Sequence, residues 1–135
     1  MNVVIDLPPM YREIVRRFPA AMSNGVVFTW GDTLYNPSGT HIGPDLFVHE
    51  ELHTAQQVWV GGPEAWWRRY FIDPAFVLDQ EARAYGRQLA WIHAHHPNRG
   101  RRARELHQLA RELASPIYGP CCTFAAAQKL IRGYA

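Results

Sequence analysis

The most informative segment of this chain is Phe47–His53, with the sequence FVHEELH. It contains the pattern H-E-x-x-H, in which His49 and His53 are four residues apart. Residues i and i+4 lie one turn apart on the same face of a helix, so both imidazoles can bind one zinc ion. Glu50 then faces the open side of the metal, where a carboxylate can accept a proton from a zinc-bound water. The spacing therefore predicts a zinc site on a helix.

Helix signals surround this motif. Pro44 suits the first helical position and Gly61-Gly62 suits the end, which predicts a helix from Pro44 to about Val60. The residues that share the histidine face are Asp45, Leu46 and Gln56 or Gln57. The residues that we expect to serve the core are Phe47, Leu52, Ala55 and Val58. The alternative is an amphipathic helix in a domain without metal, with both histidines satisfied by hydrogen bonds.

A catalytic zinc needs a third protein ligand and an open fourth position. No G-x-x-H follows His53, so the ligand has to come from a later segment, predicted as a helix from Ala75 to about His95. The candidates there are Asp79, Glu81, His93, His95 and His96. We favour Glu81, because the small residues Ala82, Ala84 and Gly86 allow this helix to approach the first one closely. Asp79 lies about 200° around the helix from Glu81, so it is an alternative and not a partner.

The rest of the pattern predicts a mostly helical α+β protein. Val26–Trp30 and Thr33–Tyr35 flank a Gly31-Asp32 turn and predict a β-hairpin. A short strand is expected at Val3–Ile5, and further helices are expected near residues 8–18, 64–70, 101–114 and 121–131. With 135 residues and no repeat or linker, residues 1–135 are interpreted as one domain.

Composition excludes several classes of protein. A net charge of +2 is too small to indicate a nucleic-acid partner by itself, and we expect none. Cys121 and Cys122 are neighbours and cannot join distant segments. No run of roughly 18 apolar residues predicts a membrane span, and the first residues lack the features of a signal peptide. We therefore expect a cytosolic protein, or one exported without a cleaved signal. The basic run Arg99–Arg104 is interpreted as a solvated surface, with an anionic partner as the alternative.

The order of hairpin, H-E-x-x-H helix and glutamate helix resembles a minimal form of the gluzincin branch of the zincin metallopeptidases. The stretch His49–Gln57, HEELHTAQQ, is similar to the H-E-x-x-H-x-x-Q-Q stretch of the metallopeptidase-like core domain found with contractile injection systems. Glu81–Leu89, EARAYGRQL, is similar to the glutamate helix of ImmA/IrrE-type proteases. The resemblance covers about Val26 to Leu89. It implies a mostly helical zincin with a small antiparallel hairpin, and one zinc ion bound by His49, His53 and Glu81 with Glu50 as general base.

The implied activity is zinc-dependent hydrolysis of a peptide bond in a peptide or protein substrate. The oxyanion of such a reaction needs a further donor, and the residues open to this role are Tyr85, Tyr118, His107 and Tyr70. We expect the substrate to lie extended along an edge strand of the hairpin. The alternative is a non-catalytic module that keeps the zincin fold for binding, in a phage-like or injection assembly or in a regulatory protein. The sequence leaves the substrate and the oligomeric state open.

Overall fold

A computed structural model describes residues 1–135, which form six α-helices and one small β-sheet. The strands are β1 (Asn2–Val4), β2 (Phe28–Trp30) and β3 (Thr33–Tyr35). The helices are α1 (Tyr11–Arg17), α2 (Pro44–Trp59), α3 (Pro63–Ile72), α4 (Pro74–His95), α5 (Arg99–Leu113) and α6 (Phe124–Tyr134). Two short 3-10 turns are Pro19–Met22 and Pro116–Tyr118. The predicted class, α+β and mostly helical, is confirmed.

The three strands form one mixed sheet in the order β1-β3-β2. Strands β2 and β3 are the predicted hairpin, antiparallel with Thr29 opposite Leu34. Strand β1 pairs with the other side of β3 in parallel, with Val3 opposite Leu34. The predicted antiparallel hairpin is therefore confirmed, and β1 extends it with one parallel strand. Parallel pairing is possible here because α1 and β2 lie between β1 and β3 and supply the long crossover that parallel strands need.

Local sequence signals set the helix boundaries. Helices α2, α3 and α4 each begin with a proline, which needs no hydrogen-bonded amide in the first turn. The Asp73 carboxylate caps α4 by accepting a hydrogen bond from the Phe76 amide. Gly61 and Gly62, with φ of 100° and 119°, end α2 in a conformation that favours glycine. The predicted bounds of α2 and α4 therefore agree with the structure to within one residue.

Two hydrophobic clusters share helix α4. One cluster joins α4, α5 and α6, and its largest fully buried members include Leu89, Leu113 and Ile131. The other joins α1, α3, β2 and the start of α4, and it includes Ile14, Phe18, Phe28, Trp66 and Val77. The first cluster begins at Ala82 on α4 and the second ends at Val77. Glu81 therefore lies where α4 passes from one cluster to the other.

Gly86 allows a close approach, but to α6 and not to α2. A β-carbon at Gly86 would overlap the side chain and backbone of Tyr134. The expectation that Gly86 faces α2 is therefore wrong, although α2 and α4 do lie in close contact, with polar side chains between them. No helix combines the length and the apolar composition needed to cross a bilayer.

Candidate metal centre

Helix α2 turns a polar face toward the protein interior. Its buried residues are His49, Glu50, His53, Gln56 and Gln57. The expected core face is wrong: Val58 is 72% exposed, and Phe47, Leu52 and Ala55 are only half-buried. Burying polar groups costs free energy unless they find hydrogen-bond partners. All five buried side chains have such partners, so this face is built around a polar site and not around an apolar core.

Three ligand atoms form a small triangle between α2 and α4. His49 Nε2 lies 3.2 Å from His53 Nε2, and Glu81 Oε2 lies 3.3 Å and 3.4 Å from these two nitrogens. Ligands held tetrahedrally by zinc at about 2.0–2.1 Å lie about 3.3–3.4 Å from one another. The triangle therefore has the dimensions of one face of a zinc-centred tetrahedron.

The hydrogen bonds around the two imidazoles leave both Nε2 atoms as acceptors. His49 Nδ1 bonds to Gln88 Oε1 at 3.1 Å, and His53 Nδ1 bonds to Gln56 Oε1 at 2.7 Å. The nitrogen ends of both amides donate to other oxygens, which fixes the amide orientations. A carbonyl oxygen can only accept, so each Nδ1 carries the ring hydrogen. In the neutral rings, each Nε2 then presents a lone pair to the triangle.

Glu81 completes the triangle with an oxygen that no donor satisfies. Its Oε1 accepts a hydrogen bond of 2.6 Å from the Tyr70 hydroxyl, whereas its Oε2 is buried without any hydrogen-bond partner. Buried polar atoms are rarely left unpaired, and such an atom is usually satisfied by a bound ion or water. An unpartnered carboxylate oxygen beside two imidazole lone pairs is an arrangement that a cation stabilises.

The other ligand candidates on α4 lie away from this triangle. Asp79 forms an ion pair with Arg83 at 3.0 Å on the exposed side of the helix. His95 is exposed and stacks on Trp91 with 3.8 Å between ring centroids. Neither His93 nor His96 lines the cavity at the triangle. Of the sequence candidates for a third ligand, the structure therefore brings only Glu81 to the two histidines.

Glu50 lies beside the triangle and not within it. Its Oε2 accepts a hydrogen bond of 2.7 Å from the Thr29 hydroxyl on β2, and its Oε1 lies 4.0 Å from His49 Nε2. Ligand atoms of His49, Glu50 and His53 all lie within 4.8 Å of one another, and the three residues are buried. This group can hold a metal ion.

The charges of the site shift the pKa values of its members. Burial by itself lowers the pKa of His53, but the negative charges of Glu81 and Glu50 and the hydrogen bonds outweigh it and raise that pKa to about 9. Burial by itself raises the pKa of Glu81, but His53 and His49 outweigh it and lower that pKa well below its usual range. Burial and the neighbouring Glu81 raise the pKa of Tyr70, so its hydroxyl stays a hydrogen-bond donor. Without a metal ion, His53 therefore carries the positive charge beside the Glu81 carboxylate, and a metal bound there would displace the proton from its Nε2.

A cavity of about 350 Å³ opens onto the ligand triangle. Tyr85 and Tyr118, two of the residues considered as oxyanion donors, line it, and their hydroxyls lie 2.6 Å apart. The Tyr85 ring packs edge-on against His49 at 4.5 Å between centroids. Tyr70, the third, also lines the cavity, and its hydroxyl donates to Glu81 Oε1. His107, the fourth, is exposed on α5 and packs against Phe124 outside the cavity. The structure therefore brings three of these four residues to the site and excludes His107 from it.

The free edge of β2 is largely occupied by a glutamine side chain. Gln57 Nε2 donates to the Thr29 carbonyl at 2.9 Å, and Gln57 Oε1 accepts from the Gly31 amide at 2.7 Å. The amide thus bonds to the strand as a neighbouring strand would. Val27, further upstream in the cavity wall, has no backbone hydrogen bond. A substrate strand can therefore pair at Val27 but not along Thr29–Gly31.

Sequence reasoning missed how the ligands are held in place. Thr29 and Gln88 were not among the candidates, and Gln56 and Tyr70 were named without the role of holding His53 and Glu81. The available signal for Gln56 was its place three residues after His53, on a face where an ordinary amphipathic helix carries apolar residues. Thr29 and Tyr70 lie on separate elements, so no spacing in the sequence connects them with the histidines.

Comparison of the chain with protein-family models, with curated proteins and with solved structures gives no match.

Proposed function

We propose that this protein is a zinc-dependent metallopeptidase of the gluzincin type. The observation that carries the proposal is the meeting of three buried acceptor atoms, from His49, His53 and Glu81, at the spacing of a tetrahedral face. Two imidazoles and one carboxylate are a ligand set of catalytic zinc sites, in which the fourth position stays open. Calcium and magnesium prefer sites made of oxygen atoms alone, so the donor set favours zinc.

Glu50 supplies the base in this proposal. Zinc, when bound, lowers the pKa of a water ligand and polarises a carbonyl group. Thr29 holds Glu50 Oε2, and Glu50 Oε1 makes no hydrogen bond and faces the ligand triangle. From there Glu50 accepts a proton from the attacking water and passes it to the nitrogen of the leaving amine. The C–N bond breaks, the hydroxyl group joins the carbonyl carbon, and the proton stays on the amine.

Tyr118 supplies the further hydrogen-bond donor for the substrate carbonyl. Its hydroxyl makes one hydrogen bond, to Tyr85, whereas the Tyr85 hydroxyl is shared between Tyr118 and Glu112. Because the Tyr85 hydroxyl donates to Glu112, Tyr118 donates its own hydrogen to Tyr85, and it has to exchange this bond for one to the substrate oxygen. Burial raises the pKa of Tyr118, so the hydroxyl keeps its proton.

The test is hydrolysis of a broad peptide library by zinc-loaded protein, followed by mass spectrometry. Glu50→Gln keeps the size of the side chain and its bond from Thr29 but removes the base. Because proton transfer contributes roughly 10²–10⁴-fold, this variant should lose nearly all hydrolysis while it keeps zinc. Glu51→Gln is the matched control, because Glu51 is exposed on the next position of α2. Equal activity of wild type and Glu50→Gln contradicts the mechanism. Bound zinc with no cleavage of any peptide favours a non-catalytic binding module.

A further inference from the structure

The cavity in front of the triangle carries negative charge without any lysine or arginine. Its carboxylates belong to Glu50, Glu81 and Glu112. Two of these are used by the proposed function, and Glu112 on α5 is not. Most of the other lining residues are apolar, including Phe18 and Ile117. The cavity therefore suits an apolar group that carries a cation.

Glu112 has no cationic partner within the chain. Its Oε2 accepts a hydrogen bond of 3.4 Å from the Tyr85 hydroxyl, and its Oε1 accepts one of 3.2 Å from Gln108. None of the ion pairs in the structure includes it. It also lies in the last turn of α5, where the helix dipole disfavours a carboxylate and favours a cation. Glu112 is therefore an exposed carboxylate at the cavity wall that no cation of the chain neutralises.

A single side chain separates Glu112 from the ligand triangle. The Tyr85 ring packs against His49, and the Tyr85 hydroxyl bonds to Glu112. An extended peptide advances about 3.3–3.6 Å per residue, so a group bound at Glu112 lies within a residue or two of the bond that is broken.

The triangle lies deep in the protein. His49 is 2% exposed, Glu81 3% and Glu50 7%. The cavity is small for a ligand pocket, since such pockets range over roughly 300–1,000 Å³. A cavity of this size holds one or two residues of a peptide and not the middle of a folded chain, and its exposed wall carries Glu112.

We propose, on the basis of the proposed function, that the site takes the amino end of a peptide, with the free ammonium group at Glu112 and an apolar side chain in the cavity. The enzyme then removes the first one or two residues. A lysine side chain carries the same ammonium chemistry, so the experiment separates these two sources.

Calorimetric binding to the zinc-loaded Glu50→Gln variant tests this assignment without turnover. The probes are leucyl-leucinamide, its N-acetyl form and N-acetyl-lysyl-leucinamide. The free peptide should bind up to about fivefold more tightly than its acetylated form, since an ion pair at the exposed Glu112 carboxylate is lost on acetylation. Adding Glu112→Gln should remove this difference, and adding the control Glu105→Gln should preserve it.

Equal binding of the free and acetylated peptides overturns the assignment, and so does a preference that survives Glu112→Gln. If N-acetyl-lysyl-leucinamide binds as tightly as leucyl-leucinamide and this binding depends on Glu112, the site binds an ammonium group in general and the assignment to the amino end is wrong. Cleavage is measured separately with wild-type protein. Cleavage of free and blocked peptides at the same rate contradicts the amino-end assignment and leaves the proposed peptidase intact. A Glu112-dependent preference in binding without any cleavage supports the assignment and contradicts the peptidase.

Discussion

The Nε2 atoms of His49 and His53 lie 3.2 Å apart, and neither neutral ring has a hydrogen there to donate to the other. Glu81 adds a third acceptor at nearly the same distance from both. With neutral rings, three acceptors that face one another repel unless a positive charge lies between them, and without metal the protonated His53 supplies that charge beside Glu81. A metal ion in this position would join α2 to α4, so its binding would contribute to folding.

Removing the metal should lower thermal stability. A ligand that binds only the folded state stabilises it by about 3–4 kcal/mol when the free ligand is roughly 100–1,000 times its Kd. A chelator should therefore lower the melting temperature measured by circular dichroism, and added zinc should restore it. His53→Ala is the control, since it should melt at the same temperature with and without zinc. If neither chelator nor zinc changed the melting temperature of the wild type, the result would contradict a metal site between α2 and α4.

Replacing Glu81 should abolish tight zinc binding. Glu81→Gln keeps the acceptor for Tyr70 but removes the negative charge and the unpartnered oxygen. Changes to residues that merely orient metal ligands cost roughly 10–100-fold in affinity, so loss of a ligand should cost more. Competition with a zinc-binding dye gives the affinity. Asp79→Asn is the matched control on the same helix and should bind zinc like the wild type. If Asp79→Asn lost zinc binding and Glu81→Gln kept it, the third ligand would be Asp79 and not Glu81.

Replacing Gln56 should weaken zinc binding without removing it. Gln56→Leu keeps a similar volume, but it removes the acceptor that holds the hydrogen on His53 Nδ1. The imidazole loses its fixed orientation, and zinc affinity should fall roughly 10–100-fold. Gln128→Leu on α6 is the control, because Gln128 makes no side-chain hydrogen bond and lies outside the cavity. Unchanged affinity in Gln56→Leu would show that the bond to His53 has no part in metal binding.

Tyr118→Phe should slow hydrolysis while zinc binding stays unchanged. Removal of one oxyanion donor typically lowers kcat by roughly 10²–10³-fold. The measurement compares kcat and KM for a peptide that the wild type cleaves. His107→Phe is the control, because His107 lies outside the cavity and should leave kcat unaffected. A kcat of Tyr118→Phe equal to that of the wild type would show that another group donates to the substrate oxygen.

The parts of the site that are close in sequence were predictable. The four-residue spacing of His49 and His53 follows from helical geometry, and proline and glycine signals bound the helix. Glu81 was reached by combining the need for a third ligand with the next predicted helix. These arguments depend on local geometry, which the sequence expresses directly.

The parts of the site that depend on packing between elements were not predictable. Tyr70 and Thr29 reach the site from α3 and β2, and their positions follow from the whole fold. Gly86 suggested contact with α2, but a missing side chain does not reveal which helix it accommodates, and α6 lies there. Val58 was expected in the core because apolar residues are usually buried. In the structure the buried face of α2 carries the polar site, and Val58 lies on the opposite, exposed face.

X-ray absorption at the zinc edge of the zinc-loaded protein reports the ligands of the metal itself. We expect four light-atom ligands at about 2.0–2.1 Å, with the outer-shell scattering of two imidazoles, and the loss of one imidazole or of the metal in His53→Ala. A sulfur ligand at about 2.3 Å would place the metal at Cys121 or Cys122 and contradict the proposed centre. A spectrum unchanged by His53→Ala, with full zinc content, would contradict it equally.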